Sequence, residues 1–288
     1  MLLIQLTEIF LIQFGIGLTL NGLGVGIATA KKHLKIPSGV LAAFTVGFLL
    51  FIFSIFAWVL LLTFFISSSL LSKFKSQLKA DVQEKFDKGG RRDASQVIAN
   101  SGATIIYAAL IGLFSTSELI SPLFIAIAGY FASVNADTFS TEIGILAKSH
   151  PRWILNPLQT VEKGTSGGIT LLGTFAGIMG ALEIGWMLLV GIFLFIPSKT
   201  INILVVLFIV VFTGMCGNFI DSLLGATIQG FYFCPICQIG TEKKIHLKCG
   251  KTKTRLIRGW VIISNDWVNL LSATGASLIA FFLSFLLL

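Results

Sequence analysis

Two carboxylates lie in a short polar segment, residues 135–144, that directly follows an apolar stretch. The segment, NADTFSTEIG, also supplies the amide of Asn135 and three hydroxyl groups. Ionised groups at a membrane span are costly unless they are paired or bind a metal, so they mark functional sites. On a helix Asp137 and Thr141 share a face, whereas Glu142 lies about 140° away at roughly 100° per residue. The two carboxylates would therefore approach a metal from different sides, or the helix is irregular here; an interfacial helix cap is the alternative.

A phosphate-binding turn is predicted at residues 162–168, EKGTSGG, just before the next apolar stretch. Glycines let backbone N–H groups approach phosphate oxygens, and a helix N-terminus adds partial positive charge. The order of residues differs from that of a Walker A loop, and a merely flexible turn is the alternative. The predicted phosphate ligands are Lys163, Gly164, Thr165, Ser166, Gly167 and Gly168.

A third carboxylate, Asp221, lies in another apolar stretch shortly after Asn218. Asp221 and Gly225 are one helical turn apart, so the glycine leaves room beside the carboxylate for a ligand. The segment loosely repeats the pattern around Asp137, which predicts the second half of one site. A structural aspartate bonded to asparagine is the alternative.

Two arginines form a candidate phosphate clamp. Arg91 and Arg92 precede Gln96 and Asn100, which lies just inside an apolar stretch. The planar guanidinium group matches phosphate bidentately. The ordinary excess of basic residues in cytoplasmic loops explains the pair nearly as well.

Asn265, Asp266 and Asn269 open the last apolar stretch. Asn265 or Asp266 is a natural helix N-cap, and capping alone explains the pattern. The three residues also add to a set of Asp and Asn side chains that can hold a hydrated Mg²⁺ ion.

Three thiols and one imidazole fall within sixteen residues, at Cys234, Cys237, His246 and Cys249. This ligand set suits tetrahedral zinc, and because the protein supplies all four ligands the ion would be structural. Reduced, metal-free thiols are the alternative. The remaining cysteine, Cys216, lies in an apolar stretch, so we expect a reducing, cytosolic loop and no disulfide framework.

The composition places these groups in a membrane protein. Hydrophobic residues make up 55% of the chain and charged residues 12%, and the mean hydropathy is +0.91, which excludes an ordinary soluble fold. The formal net charge of +8 comes from Lys and Arg in short loops, where they orient the chain and meet anionic headgroups. We therefore expect membrane lipids, and not nucleic acid, as partners.

The apolar stretches set the fold class. A span of the hydrocarbon core takes roughly 20 mainly apolar residues, and the absence of an alternating barrel pattern leaves helices as the spanning elements. We predict an all-α, polytopic transmembrane helical bundle of about seven to ten spans. It forms a single integral membrane domain over residues 1–288, with a cytosolic Cys/His loop at residues 231–265. The clearest single spans are residues 9–30, 96–114, 120–134 and 267–288.

Longer apolar stretches are predicted to be divided. Residues 39–70 exceed one perpendicular crossing and lie between lysine-bearing segments, which predicts a hairpin turning near residues 54–58. One long tilted helix is the alternative. Residues 169–182 and 184–196 are predicted to be two separate spans.

The stretch at residues 201–233 precedes the most basic loop and is predicted to break near Gly214 and Gly217. With the spans divided in this way, four loops fall on one face of the membrane, which we expect to be the cytosolic face that carries the chemistry. These loops are residues 31–35, 73–92, 135–163 and 232–266.

Five motifs, in this order, resemble the transmembrane protein 19 family, which includes the plant and cyanobacterial phytyl-phosphate kinases. They are residues 136–144, 164–168, 221–226, 234–237 with His246, and 265–269, and the likeness also covers residues 91–96 with Asn100 and the Ser38-Gly39 pair. More loosely, the Asp137 segment and the turn after it are similar to the CTP-dependent polyprenol, dolichol and phytol kinases and to membrane cytidylyltransferases.

The resemblance implies an enzyme that converts an isoprenoid monophosphate, of the phytyl or geranylgeranyl type, to its diphosphate. CTP or another nucleoside triphosphate would be the donor and Mg²⁺ the cofactor. In that mechanism Asp137, Glu142 and Asp221 are catalytic and hold Mg²⁺, while the arginines, Lys163 and the glycine-rich turn hold phosphate oxygens. The other predicted nucleotide- or phosphate-binding residues are Gln96, Asn100, Asn135, Thr141, Asn218, Asn265, Asp266 and Asn269.

Two other functions stay open. A cytidylyltransferase would use the same metal and anion ligands to form a CDP-lipid, and a transporter would carry an anionic lipid or metabolite. Transporters usually place charges near the midplane of the membrane in matched repeats. The polar residues here gather at span ends on one face, so an enzyme is favoured.

Overall fold

The computed structural model describes residues 2–86, 90–113, 119–195 and 202–288 of the chain. The described segments are mostly helical, with eight short strands outside the long helices. The helices are α1 (Leu2–Ala30), α2 (Ser38–Phe53), α3 (Ile55–Lys73), α4 (Ser76–Gln83), α5 (Ala94–Val97), a π-helical turn (Ile98–Gly102), α6 (Thr104–Leu113), α7 (Ile120–Gly144), α8 (Leu171–Phe195), α9 (Ile203–Thr227) and α10 (Asn265–Leu287). The strands are β1 (Arg152–Trp153), β2 (Asn156–Thr160), β3 (Gly168–Ile169), β4 (Phe231–Cys234), β5 (Ile239–Thr241), β6 (Ile245–His246), β7 (Thr252–Lys253) and β8 (Arg255–Arg258).

The prediction of a polytopic helical membrane protein is confirmed. Among the described residues, six helices are long and apolar enough to cross a membrane. A seventh span is obtained if α5, the π-helical turn and α6 count as one element, bent by 45°. The predicted range of seven to ten is therefore met only at its lower limit.

The predicted division of α8 is wrong, because α8 is one continuous helix from Leu171 to Phe195. Glu183, the charged residue that interrupts the apolar stretch, accepts a hydrogen bond of 2.9 Å from Asn135 Nδ2 on α7. A polar partner on a neighbouring helix lets the carboxylate remain inside a span.

The predicted break in α9 is also wrong, because the helix is continuous through Gly214 and Gly217. These glycines serve close helix packing. A Cβ added at Gly214 would lie 2.9 Å from Ala132 Cβ, and one at Gly217 would lie 2.0 Å from Ser133 Oγ. Both neighbours belong to α7, and small residues at such contacts let two backbones approach.

The predicted hairpin within residues 39–70 is confirmed. The turn is at Ser54, whose backbone is extended and whose hydroxyl accepts a hydrogen bond from Ala57 N at the start of α3. A Cβ added at Gly47 of α2 would lie 3.9 Å from Leu61 Cδ2 of α3. Residues so far apart on a single straight helix would not meet, so α2 and α3 fold back on each other.

Helix α7 is the centre of the bundle, buried along most of its length and packed against α3, α6, α8, α9 and α10. The connecting segments meet at one end of this bundle, as predicted. Lys35 N donates to Arg92 O at 2.9 Å, and Glu242 N donates to Lys85 O at 2.8 Å.

Three small sheets lie among these connecting segments. One sheet has the order β2-β1-β3 and lies between α7 and α8 in the chain. The segment between α9 and α10 forms a second sheet, β5-β4-β8, and a two-stranded pair, β6-β7. All strand pairs are antiparallel. We call residues 231–258 the Cys/His module.

Candidate functional site

A polar cavity of about 390 Å³ lies where the connecting segments meet the ends of the spans. The predicted site residues that line it come from five separate segments of the chain. The predicted site residues that line it are Arg92, Gln96, Asn100, Asp137, Thr141, Glu142, Lys163, Gly164, Thr165, Ser166, Gly167, Gly168, Asn218, Asp221, Asn265, Asp266 and Asn269.

Two predicted phosphate ligands lie elsewhere. Arg91 is exposed outside the cavity. Asn135 is fully buried within the bundle, where its Nδ2 donates to Gly180 O at 2.8 Å and to Glu183. Asn135 therefore joins α7 to α8 and does not reach the cavity.

Three carboxylates form an acidic cluster in the cavity: Asp137 on α7, Asp221 on α9 and Glu242 just after β5. Their charges interact with one another across the cavity. Within the described segments, no hydrogen-bond donor reaches the Asp137 carboxylate. Carboxylates that line one cavity supply oxygen atoms of the kind that a divalent cation such as Mg²⁺ binds.

Polar side chains of α10 fix Asp221. Ser272 Oγ donates to Asp221 Oδ2 at 3.2 Å. The side chain of Asn269 lies between Asp221 Oδ2, at 3.0 Å, and Asn100 Oδ1, at 3.1 Å. In the orientation that satisfies the carboxylate, the Asn269 amide nitrogen donates to Asp221. Asn100 belongs to the π-helical turn, a distortion that often occurs at functional sites.

Glu142 lines the same cavity but has a cationic partner. Lys79 Nζ on α4 lies 2.6 Å from Glu142 Oε2, and Ser72 Oγ donates to Glu142 Oε1 at 2.8 Å. The Lys79 side chain is fully buried and also donates to Leu71 O. The structure thus neutralises Glu142 by an ion pair, and Glu242 rather than Glu142 interacts with Asp137 and Asp221.

Sequence reasoning missed Glu242 and Lys79. Glu242 follows an irregular β segment in the most basic loop, and Lys79 lies on a short exposed helix. The sequence around neither residue has a hydrophobic period that predicts the direction of its side chain. The one available signal was an isolated acidic residue inside a basic loop.

The turn at residues 164–168 packs against Val82 of α4 through Gly164 and against α9 through Gly167. Gly164 and Gly167 have φ angles of +83° and +86°, which glycine adopts without steric cost. A Cβ added at Gly167 would lie 2.4 Å from Ala226 Cβ. Gly225, predicted to leave room for a ligand, instead faces this turn. A Cβ added at Gly225 would lie 3.5 Å from Gly167 N.

Several backbone amides of this turn remain available. Among the described residues, the N–H groups of Gly164, Ser166 and Gly167 have no hydrogen-bond acceptor. Amides that lack an acceptor at a turn with positive φ angles form a concave anion site. The turn therefore has backbone donors that no acceptor in the described segments uses, which a phosphate-binding loop requires.

Lys163 lines the cavity, and its ammonium group also contacts the end of α7. Its Nζ donates to Ile145 O at 3.0 Å and also to Ala147 O, just after α7 ends. A lysine at this position satisfies carbonyl groups left without partners at a helix C-terminus. Lys163 thus anchors the turn to α7, which uses two of the three donors of its ammonium group.

Arg258 and Ser166 join the turn to the Cys/His module. Arg258 donates to Ser166 O at 2.9 Å and to Gly225 O at 3.2 Å. Burial lowers the pKa of the Arg258 guanidinium, and the charge of Glu242 offsets this decrease only in part. Ser166 Oγ and Gln229 Nε2 each donate to Glu242 Oε1 at 2.8 Å. The position of Glu242 therefore depends on both the module and the turn.

The Cys/His module contains the predicted group of metal ligands. Ligand atoms of Cys234, Cys237, His246 and Cys249 all lie within 4.8 Å of one another, so the group can hold a metal ion. Hydrogen bonds from Thr252 and His246 lower the pKa of the Cys249 thiol to about 6, which favours the thiolate that a metal binds. Four protein ligands and a buried imidazole are typical of a closed structural site.

Comparison with known proteins places this architecture. The sequence profile of the family described as integral membrane protein DUF92 matches residues 20–277. Protein PGR of Arabidopsis thaliana is 33% identical over 255 residues, which cover 84% of this chain and 86% of the plant protein. An uncharacterized membrane protein of Methanocaldococcus jannaschii, MJ0933, is 35% identical over 203 residues, which cover 69% of this chain and 76% of the archaeal protein. No solved structure matches the chain.

Proposed function

The chain belongs to the DUF92 family of integral membrane proteins, and we propose that it is a membrane kinase for isoprenoid monophosphates. It would form the diphosphate with CTP or another nucleoside triphosphate as donor. The supporting observation is that the acidic cluster and the glycine-rich turn face one cavity at the ends of membrane spans. A lipid phosphate and a soluble nucleotide can meet at such a position.

In this proposal the acidic cluster would hold Mg²⁺. Asp137, Asp221 and Glu242 supply carboxylate oxygens, which Mg²⁺ prefers, and the cavity leaves space for the water ligands that this ion retains. When bound, Mg²⁺ neutralises negative charge on the phosphates of the donor. Asp137 and Asp221 would be the main ligands because their helices hold them within the bundle.

The chain's own groups would bind and orient the two phosphates. The free amides of Gly164, Ser166 and Gly167 would hold donor oxygens. The acceptor is a phosphate monoester whose second pKa is near 6, so it needs no strong general base. One of its oxygens forms a bond to the γ-phosphorus, the bond from that phosphorus to the β–γ bridging oxygen breaks, and the nucleoside diphosphate leaves. Catalysis would then rest on position and charge stabilisation.

We also propose that the Cys/His module binds a structural zinc ion and that the face carrying the cavity is cytosolic. Thiolate and imidazole ligands favour zinc. The many lysine and arginine residues in the loops of this face support the orientation.

The test is a detergent assay of the purified protein with phytyl or geranylgeranyl monophosphate, CTP and Mg²⁺, following lipid products by mass spectrometry. We expect the lipid diphosphate and CDP. Asp137→Asn should lower the rate by roughly 10²-fold or more. Glu8→Gln, a matched carboxylate change on α1 and outside the cavity lining, should leave it unchanged.

The products separate the rival functions. A CDP-lipid with pyrophosphate would replace the kinase proposal by a cytidylyltransferase. No product across several prenyl phosphates and nucleotides would overturn an enzymatic function for this cavity.

A further inference from the structure

Arg92 lies in the cavity apart from the acidic cluster. Its guanidinium interacts electrostatically with Glu142, whereas Asp137 and Asp221 interact with each other and with Glu242. In the part of the chain that the structure describes, no carboxylate lies within ion-pair distance of Arg92. The cavity thus has an acidic region and a separate cationic one.

Hydroxyl groups and aromatic rings surround the Arg92 guanidinium. It donates to Ser68 Oγ at 2.8 Å and to Ser69 Oγ at 3.1 Å. Its central carbon lies 4.9 Å from the Phe65 ring centroid and 5.9 Å from that of Phe64. A guanidinium has five N–H donors, so these two bonds orient the group and leave donors for a ligand. The planar fork binds phosphate bidentately, as it does carboxylate.

The backbone of Arg92 is fixed as well. Arg92 N donates to His33 O, and Lys35 N donates to Arg92 O, both at 2.9 Å. A Cβ added at Gly39 would lie 2.1 Å from Arg92 O, so only glycine allows the start of α2 to come this close. An arginine held at both its backbone and its side chain is pre-organised for a specific ligand.

We propose that Arg92, oriented by Ser68 and Ser69, binds the phosphate of the lipid acceptor, a phosphate monoester on an apolar chain. This inference rests on the proposed kinase function and assigns its two substrates to different parts of the cavity. The donor carries its metal to the acidic cluster and the glycine-rich turn. The acceptor phosphate brings no metal of its own, so it needs the guanidinium.

Two further observations agree with this assignment. Phe64 lines the cavity next to Arg92 and belongs to α3, a membrane span, so an apolar chain attached to the phosphate has a path along a bilayer helix. Lys79 neutralises Glu142, the carboxylate whose charge reaches Arg92. The ion pair thus removes a negative charge that would repel the acceptor phosphate.

The first test is a comparison of kinetic constants. Arg92→Lys keeps the positive charge and removes the planar fork, so the KM for prenyl monophosphate should rise about tenfold or more. The KM for CTP should change less than about twofold. Gly167→Ala, in the donor turn, should show the reverse pattern. An equal rise in both KM values for Arg92→Lys would overturn the assignment.

The second test measures binding without turnover. Wild-type protein in detergent, without nucleotide, should bind prenyl monophosphate in isothermal titration, and Arg92→Lys should bind it about tenfold more weakly. Ser69→Ala, a milder change, should show a smaller loss. Unchanged affinity in both variants would reject the subsite.

Two further ligands identify what is recognised. The matching prenol should not bind, whereas inorganic phosphate should compete weakly and in an Arg92-dependent manner. Equal affinity for inorganic phosphate and the prenyl phosphate would contradict a lipid acceptor. Arg92-dependent binding of prenyl phosphate by a protein that forms no diphosphate would retain this subsite while removing the kinase function.

Discussion

The helices that carry Asp137 and Asp221 and the Cys/His module that carries Glu242 hold their carboxylates by different means. Between α7 and its neighbours the backbones are in close contact: a Cβ added at Gly129 would lie 2.6 Å from Ala280 Cβ, and one at Gly217 would lie 2.0 Å from Ser133 Oγ. The module is attached mainly by hydrogen bonds, from Glu242 N and Thr241 Oγ1 to Lys85 O.

The carboxylates of one cavity are therefore held with different rigidity. Asp137 and Asp221 are fixed by the packing of spans, which does not depend on any bound ion. Glu242 is placed by a small module for which we propose a structural zinc ion, and a bound metal would contribute to the stability of so small a unit. We therefore expect changes in the bundle to alter the stability of the whole protein, and changes in the module to alter the site alone.

The largest expected loss of stability follows from breaking the ion pair between the outer helix α4 and the bundle. Lys79→Met leaves Glu142 without its buried partner, which should lower the free energy of unfolding by about 3–5 kcal/mol. The measurement is thermal or denaturant unfolding in detergent. Lys79→Met combined with Glu142→Gln should recover much of the loss.

The matched control is the pair of Lys85 with Glu162, whose carboxylate side chain is 67% exposed. Lys85→Met should cost less than about 1 kcal/mol because solvent screens exposed pairs. Equal losses at the two lysines would show that burial of Lys79 does not matter.

A smaller loss of stability is expected at the contact between α7 and α9. Gly217→Ala forces a methyl group against Ser133, which should cost about 1–3 kcal/mol. Gly22→Ala on α1, where an added Cβ meets nothing within 4 Å, is the control and should be neutral or slightly stabilising. A neutral Gly217→Ala would mean that packing does not fix the acidic helices.

The same packing explains how much of the site the sequence predicted. Asp137 and the turn at residues 164–168 each border an apolar stretch, and the predicted alternation of spans puts both on one face. Asp221 reaches the same face because α8 and α9 are each one continuous helix. The predicted break near Gly214 and Gly217 would instead have placed Asp221 near the opposite face. The membrane thus supplies long-range information that a soluble chain of this length would lack.

The errors have equally local causes. The sequence predicts a span boundary at Glu183 because its partner Asn135 is distant in sequence. It predicts a break at Gly214 because glycine contacts between helices cannot be recognised on one helix. Glu242 was missed because β4 and β5 show no hydrophobic period that orients the residue after them. Each error concerns a contact between two segments, and not the secondary structure or hydrophobicity of one segment.

The module can be perturbed through its thiols. Purified protein should contain one zinc ion per chain by elemental analysis, and Cys237→Ser should lose it while the unfolding midpoint of the bundle stays nearly unchanged. Cys216→Ser, which changes a cysteine on α9 outside the cluster, should keep the zinc. Full zinc occupancy in Cys237→Ser would exclude the proposed ligand set.

The smallest effect, and the sharpest comparison, is expected at Glu242. Glu242→Gln retains an oxygen that accepts from Ser166 and Gln229 but removes one negative charge from the acidic cluster. If Glu242 contributes to a cation site whose main ligands lie on α7 and α9, the Mg²⁺ concentration for half-maximal activity should rise roughly tenfold, and the unfolding midpoint should not move.

Cys237→Ser should shift the Mg²⁺ requirement in the same direction, since it loosens the module that places Glu242. Asp221→Asn should abolish the dependence on Mg²⁺ because activity itself is lost. If Glu242→Gln had the same effect as Asp221→Asn, the module and the bundle would contribute equally to the cation site. The distinction between a rigid bundle and an adjustable module would then be wrong.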